Sequence, residues 1–552
     1  MSSDAEGPRD GVDAPERQQG TLAYWGPAIA VSLSMFIAVI DSTLMNVAIP
    51  AIVSDLDTTV PVVQGAIAVY SLVMAALMLP AGKLPSMYGV RRLMQGTLVV
   101  YAAGTLLAAV SWSPAVLYFG WSVVEGAAAA VLMPLTFTVL IVTYDGKDRA
   151  RALGVLAGVS AAGAAVGPIF GGALTTFASW RWGFALEAVV VVIALVFVRY
   201  VSAAPLTSDP DPLDIGGTVL SVVGATSLVV GFLLAGKFGW LVATRPFVAF
   251  GVQFNPFGTS PALWTIGLGL LAFAAFVQYE YRLERAGRSP LVPMGMLSNR
   301  TFTAGSLTFG ARALVMAGFI FIIPVFLQSG LGYTAFEAGV AMLPFSVGTL
   351  LVSTFTTGWR TYVAPKTLIQ VGAVLIGVGL LLLFQDTTPD QTVRSVAVPM
   401  AVVGVGIGLM TPQLVNSTLS AVAQANSSEA SGVMNATGML AYALGTAIVG
   451  AFLLGQFYRG VIDGTLRATG AAVSVSRRDE LALELQQAAE TATEATRQAF
   501  LAGLTPAERA LLDRVFEAAF VGAQRATLLL LVVFAALTLV ISAFLPRDSG
   551  NG

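Results

Sequence analysis

Predominantly apolar runs of about twenty residues recur along this chain, separated by short polar loops. A run of that length crosses a bilayer core as a helix. Lipid offers the backbone no hydrogen-bond partner, so a chain with many such runs must satisfy its peptide groups within each run. The pattern therefore predicts an all-α polytopic membrane protein. Hydropathy places about fourteen spans. The first six lie near 24–47, 62–83, 93–112, 114–137, 150–175 and 183–201. Two follow near 215–236 and 262–282, and six more near 302–328, 337–357, 367–385, 395–416, 430–456 and 526–545. Only 11% of the residues are charged and 56% are hydrophobic, against about 25% charged in soluble domains.

The polar segment 1–21 lacks the basic start and short apolar core of a cleavable signal and reads as a disordered tail. Lys and Arg set the orientation. Loops on one side hold Lys83, Arg91, Arg92, Lys147, Arg149, Arg151, Arg282, Arg285, Arg288 and Lys366 among others. The short loops on the opposite side hold only Arg181, Lys237, Arg245 and Arg394. The excess marks the cytoplasmic face and predicts both termini there, in a plasma (inner) membrane.

Asp41 lies inside the first apolar run. An ionisable residue at membrane depth costs about 3 kcal/mol and is by default a functional candidate. The chain has no cysteine and no histidine, so disulfides, thiolate chemistry and Cys/His metal sites are excluded, and any proton carrier is a carboxylate. No Gly-rich phosphate loop with Lys and no nucleophile–base set occurs, so no enzyme, cofactor or metal site is expected. No basic patch with interleaved aromatics suggests nucleic acid.

Internal echoes suggest a duplication. Glu125-Gly126 leading to Met133-Pro134 is echoed by Gly404-Val405-Gly406 leading to Met410-Thr411-Pro412. Arg92-Leu93-Met94-Gln95 is echoed by Thr367-Leu368-Ile369-Gln370. The common offset, about half the chain, fits the paired repeats of secondary transporters. The expected organisation is a six-helix half over 22–203, two linking helices and loops over 204–300, and a second six-helix half over 301–552 that includes an outer helical hairpin at 457–525. In the fifth run, Gly163, Gly167 and Gly171 share a helix face where backbones can pack closely, and Pro168 permits a bend.

These residues carry a family resemblance. Gly163-x-x-x-Gly167-Pro168-x-x-Gly171-Gly172 resembles the antiporter motif of the major facilitator superfamily. Asp41-Ser42-Thr43 through Asn46-Val47-Ala48-Ile49-Pro50 resembles the first-helix motif of its fourteen-span drug:proton antiporters. Ser179-Trp180-Arg181-Trp182 is similar to the start of their sixth helix, and Gly82-Lys83-Leu84, Gly89 and Arg91, with Arg92 next to them, resemble their cytoplasmic gate loop. The resemblance implies a coupling role for Asp41 and a hinge role for Gly163, Gly167, Pro168, Gly171 and Gly172. Two positions depart from it. Ser86 stands where the loop motif has an acid, and the fourth helix reads Ser122-Val123-Val124-Glu125-Gly126 in place of an Arg followed by Gln-Gly.

Glu125, the acid gained there, offers a replacement for the lost Arg. It sits about 15 Å into its helix, and Arg312 sits about as deep in the ninth span, so the expectation is a Glu125–Arg312 pair bridging the halves. Glu187 is expected to pair with Arg181 at the outer interface. In the outer loop, Arg478 to Phe500 reads as an amphipathic helix, and Thr505-Pro506-Ala507-Glu508 as a capping box opening a second helix. The leading expectation is a monomeric, proton-driven exporter of amphipathic or cationic small molecules, surrounded by membrane lipids, with Asp41, Glu125 and Arg312 at the coupling and substrate site. Alternatives are export of a specific lipid or secreted metabolite, and a non-transporting scaffold or sensor.

Overall fold

The computed structural model describes residues 22–203, 212–249, 252–253, 255–359, 363–422, 427–471, 473–491 and 500–546. The expected tail at 1–21 and residues 492–499 of the outer hairpin lie outside them. The chain is helical almost throughout. The first six long helices are α1 (Leu22–Asp55), α2 (Val60–Ala81), α3 (Val90–Ala109), α4 (Pro114–Thr143), α5 (Gly146–Phe177) and α6 (Arg181–Val198). Next come α7 (Ile215–Phe238) and α8 (Pro261–Arg285), then α9 (Arg300–Gly330), α10 (Ala335–Trp359), α11 (Pro365–Asp386), α12 (Ala397–Leu419) and α13 (Ser427–Thr469). Helix α14 (Val475–Thr491) lies in the hairpin, and α15 (Pro506–Ser542) completes the set. The loop between α7 and α8 adds two short antiparallel strands, β1 (Val248–Ala249) and β2 (Val252–Gln253).

Among the described residues, 12 helices are long and apolar enough to cross a membrane. Helices α3 and α5 occupy the two other expected positions but are not among the twelve. Arg91 and Arg92 open the first, and within the second the described apolar stretch is Val166–Phe177.

Local chemistry starts several helices where the sequence requires. Asn299 accepts the amides of Thr301 and Phe302 to cap α9, and Asp214 accepts the amide of Gly217 to cap α7. Thr505 and Glu508 close the expected capping box. The outer hairpin departs from a simple loop. Helix α13 has 43 residues, about 64 Å at 1.5 Å per residue, twice the hydrocarbon thickness. Its far end and the start of α15 run on together, with Gly460 against Ala519 and Gly464 against Val515. Phe457 packs on Phe520 at 4.3 Å. The ion pairs Arg459–Asp479 and Arg478–Asp463 tie α14 to this extension.

Packing separates two sets of helices. Helices α1 to α6 pack mainly with one another, as do α9 to α13 with α15, while α7 and α8 pair together and lean on α2 and α13. Two seams join the sets, α2 against α13 and α5 against α10. Each pairs the second long helix of one set with the fifth of the other. Gln64 crosses the first seam and donates to the Thr446 carbonyl at 2.8 Å. A further bond runs from Gln328 Nε2 to the Val47 carbonyl at 2.9 Å.

Candidate functional site: a buried carboxyl cluster

Three helices of the first set place acids at one point. Asp41 of α1 and Glu125 of α4 have no solvent exposure, and Glu187 of α6 is also buried. One carboxyl oxygen from each lies within 4.8 Å of the other two. Asp41 Oδ1 accepts a hydrogen bond from the Trp121 indole Nε1 at 2.8 Å. Glu187 Oε2 accepts one from Thr105 Oγ1 at 3.2 Å. The remaining oxygens, Asp41 Oδ2, both of Glu125 and Glu187 Oε1, have no hydrogen bond. The hydroxyls of Tyr70 and Tyr101 lie beside Asp41 and Glu125 and make none either.

The backbone explains how these groups meet. From Tyr118 to Glu125, α4 widens into a π-helical segment, a distortion that often marks functional positions. It carries both Trp121 and Glu125. Trp121 stacks on Tyr70 of α2, centroids 4.7 Å apart and planes 8° from parallel, and meets Phe184 of α6 edge-on. Gly104 of α3 faces the Glu125 backbone so closely that a Cβ there would lie 2.7 Å from the Glu125 nitrogen. Ser122, in the stretch where an Arg was expected, donates to the Ala66 carbonyl at 2.9 Å and ties α4 to α2.

No lysine or arginine forms an ion pair with this cluster among the described residues. Two unit charges at the cluster's spacing repel by about 3 kcal/mol at an effective dielectric of about 20, so the three acids are not all ionised together without a cation. Oxygen donors at this spacing suit protons or a hard cation, not a thiolate-seeking metal.

Two expected pairs are corrected. Arg312 does not meet Glu125. Its guanidinium lies over the Phe309 ring at 4.7 Å, three residues back on α9. Equal depth placed the two groups on one level but said nothing of rotation about the helix axes. Glu187 does not meet Arg181. That arginine pairs with Asp55 and donates to the Ser111 carbonyl. Six residues turn a helix by about 600°, which carries Glu187 round to the inner face of α6.

The motif glycines serve two contacts. Gly163, Gly167 and Gly171 face α1, against Val39, Thr43 and Leu44, the stretch that flanks Asp41. Gly172 faces the backbone of Ala335 and Phe336 on α10, and Gly339 of α10 faces the Pro168 carbonyl. The stripe thus binds α5 to the Asp41 helix on one side and to the second helix set on the other.

In the gate loop, Gly82 follows α2, and Gly89 has φ +77°, which an L side chain rarely adopts. Lys83 donates to the Ser289 carbonyl at 3.1 Å, and Ser86 donates to the Lys83 carbonyl at 2.7 Å. Arg91 and Arg92 form no ion pair among the described residues. An apolar crevice of about 510 Å³ lies between α1 and α5, lined by Trp25, Leu33, Phe36 and Val155, with Arg151 at its rim.

Sequence reasoning passed over Tyr101 and Thr105, which carry no motif. Glu187 had a visible signal, an acid inside an apolar run, but was assigned the wrong partner.

The fold and the buried acids define the class, a multi-pass helical membrane protein built from two packed helix sets. The description Major Facilitator Superfamily matches residues 31–446, and the chain belongs to that family of transporters. It is 30% identical over 425 residues to the cephamycin export protein CmcT of Amycolatopsis lactamdurans, covering 75% of this chain and 82% of that protein. The multidrug efflux pump LfrA of Mycolicibacterium smegmatis is 28% identical, covering 92% of this chain and 96% of LfrA. The puromycin resistance protein pur8 of Streptomyces alboniger is 27% identical, covering 82% of this chain and 88% of that one. Among solved structures, an inward-facing, unoccupied bacterial homolog of the human lysosomal transporter Spinster superposes with TM-score 0.59. It is 15% identical and covers 95% of this chain and 98% of that one, a likeness of fold.

Proposed function

We propose that this chain is a secondary active exporter that exchanges protons for amphipathic, drug-like small molecules, cationic ones among them. Asp41 and Glu125 are its proton carriers. The observation that carries this reading is their shared burial with no cation beside them. A carboxyl in that setting exchanges charge for a proton or for a cationic substrate as its surroundings change. Relatives named for multidrug efflux and antibiotic export support the substrate class. The apolar α1–α5 crevice, one wall of which is the Trp25–Phe36 stretch of the helix that carries Asp41, is a route suited to amphipathic molecules.

In this reading the chain works as a monomer in the plasma membrane. It has fourteen spans, with α3 and α5 completing the twelve, and both termini are cytoplasmic. The helix sets at 22–203 and 301–552 rock about the α2–α13 and α5–α10 seams, with Gly163, Gly167, Pro168, Gly171 and Gly172 as the hinge and the loop from Gly82 to Arg92 as the cytoplasmic gate. Arg312, stacked on Phe309, is a cavity residue of the second set.

The test is efflux of a fluorescent lipophilic cation from proteoliposomes under an imposed pH gradient. Parent protein should show gradient-dependent efflux and Asp41→Asn should lose it. Equal efflux from both would remove Asp41 from the coupling path. A second reading, export of one secreted metabolite, is favoured by the cephamycin export relative. It predicts transport of a narrow chemical class across a substrate panel.

A further inference from the structure

Glu187 is a carboxyl that the exporter reading does not use. It is 4% exposed, and its Oε1 has no hydrogen-bond partner. Its other oxygen is held by Thr105, whose hydroxyl is also within reach of the Phe184 carbonyl, one turn back on α6. That contact aims the carboxyl inward, where it lies within 4.8 Å of Asp41 and Glu125.

The groups around it come from each neighbouring helix. Helix α1 presents Asp41, α2 presents Tyr70, α3 presents Tyr101 and Thr105, and α4 presents Trp121 and Glu125. Helix α5 has its described charged groups at its first turns, where Asp148 meets Tyr24, Arg149 meets Asp145 and Arg151 lies over Trp25. On α6 itself, Arg181 is engaged with Asp55. Hence no basic side chain forms an ion pair with the cluster among the described residues. The two tyrosine hydroxyls beside it are buried and unpartnered, so further donors and acceptors already surround a mobile proton.

From this arrangement, resting on the exporter reading, we infer that Glu187 is a third proton-carrying group and that each transport cycle moves more than one proton. Three mutually close acids without a cation retain protons on at least two members. In the fully protonated cluster a cationic substrate allows two of the acids to ionise, and both protons leave on the side to which the site is open. Glu187→Gln removes one exchangeable proton while leaving Asp41 and Glu125 in place.

The experiment uses full-length protein in proteoliposomes, with the membrane potential clamped to zero and a monocationic fluorescent probe. The steady-state logarithm of the probe gradient is measured against the imposed pH difference, and its slope is the number of protons per probe. The expected slope is about two for the parent and about one for Glu187→Gln. Glu187→Asp, which keeps the acid, should restore two. A parent slope of one, or equal slopes in parent and Glu187→Gln, overturns this inference and leaves the exporter reading standing. Absence of gradient-driven transport in the parent overturns both. Should Glu187→Gln fail to fold, proton release on probe binding is counted in weakly buffered detergent solution with the parent. More than one proton per probe supports the inference, and one or fewer overturns it.

Discussion

Trp121 donates its indole N–H to Asp41 Oδ1 at 2.8 Å, and this bond joins the fourth helix to the acid of the first. The donor is held by stacking on Tyr70, so the bond is positioned before any proton moves. Trp121→Phe keeps the stack and removes the donor. A hydrogen bond to a charged group contributes about 1.5–3 kcal/mol, so gradient-driven efflux is expected to fall by about tenfold or more. Rates measured at matched reconstitution check this, and parent-like efflux would show the bond to be incidental.

Asp41→Asn and Glu125→Gln should separate coupling from binding. Both variants are expected to lose uphill export yet retain probe–probe exchange without a gradient, since a neutral amide still fills the space. Counterflow assays report the exchange. Loss of exchange along with export would instead place the residue in substrate binding.

Gly172 and Gly339 bring α5 and α10 together through backbone contact. Added methyl groups there meet main chain, which cannot swing aside. Gly172→Ala and Gly339→Ala are expected to cost about 1–3 kcal/mol and to slow transport. Gly158→Ala on the same helix meets open space and should leave both melting and transport unchanged. Thermal melts in detergent, read with transport rates, decide the matter.

The Gln328–Val47 bond spans the two helix sets. The natural chain lacks cysteine, so Val47→Cys with Gln328→Cys gives an unambiguous cross-linking pair. A short thiol cross-linker is expected to abolish transport if this contact opens in each cycle, with recovery on cleaving the linker. Full activity in the cross-linked protein would mean the contact stays closed throughout.

Arg312 stacks on Phe309 and has no carboxylate partner among the described residues. Stability effects of Arg312→Met and Glu125→Gln should therefore add within about 0.5 kcal/mol. A larger coupling energy in a double-mutant cycle of thermal melts would argue for a pair that forms in another conformation.

Much of the architecture was legible because its signals are local. A twenty-residue apolar run reports its own need for lipid, and Thr505 with Glu508 reports a helix start three residues apart. The Gly163–Gly172 stripe was legible as a packing face, though not the fact that it serves two partners. Helix α13 runs well past its expected end, because solvated helix continues membrane helix without any break in the backbone pattern.

The carboxyl cluster divides differently. The sequence by itself determined that apolar runs hold acids at positions 41, 125 and 187, the last read there as an interfacial partner of Arg181, with no histidine or cysteine to share their chemistry. Only the tertiary structure decided that these acids face one another, that Trp121 and Thr105 are their donors, and that Arg312 turns instead to Phe309. Depth along a helix follows from counting residues at 1.5 Å each. Direction about its axis depends on how several helices pack and on a π-helical widening in α4, and no single segment carries that information.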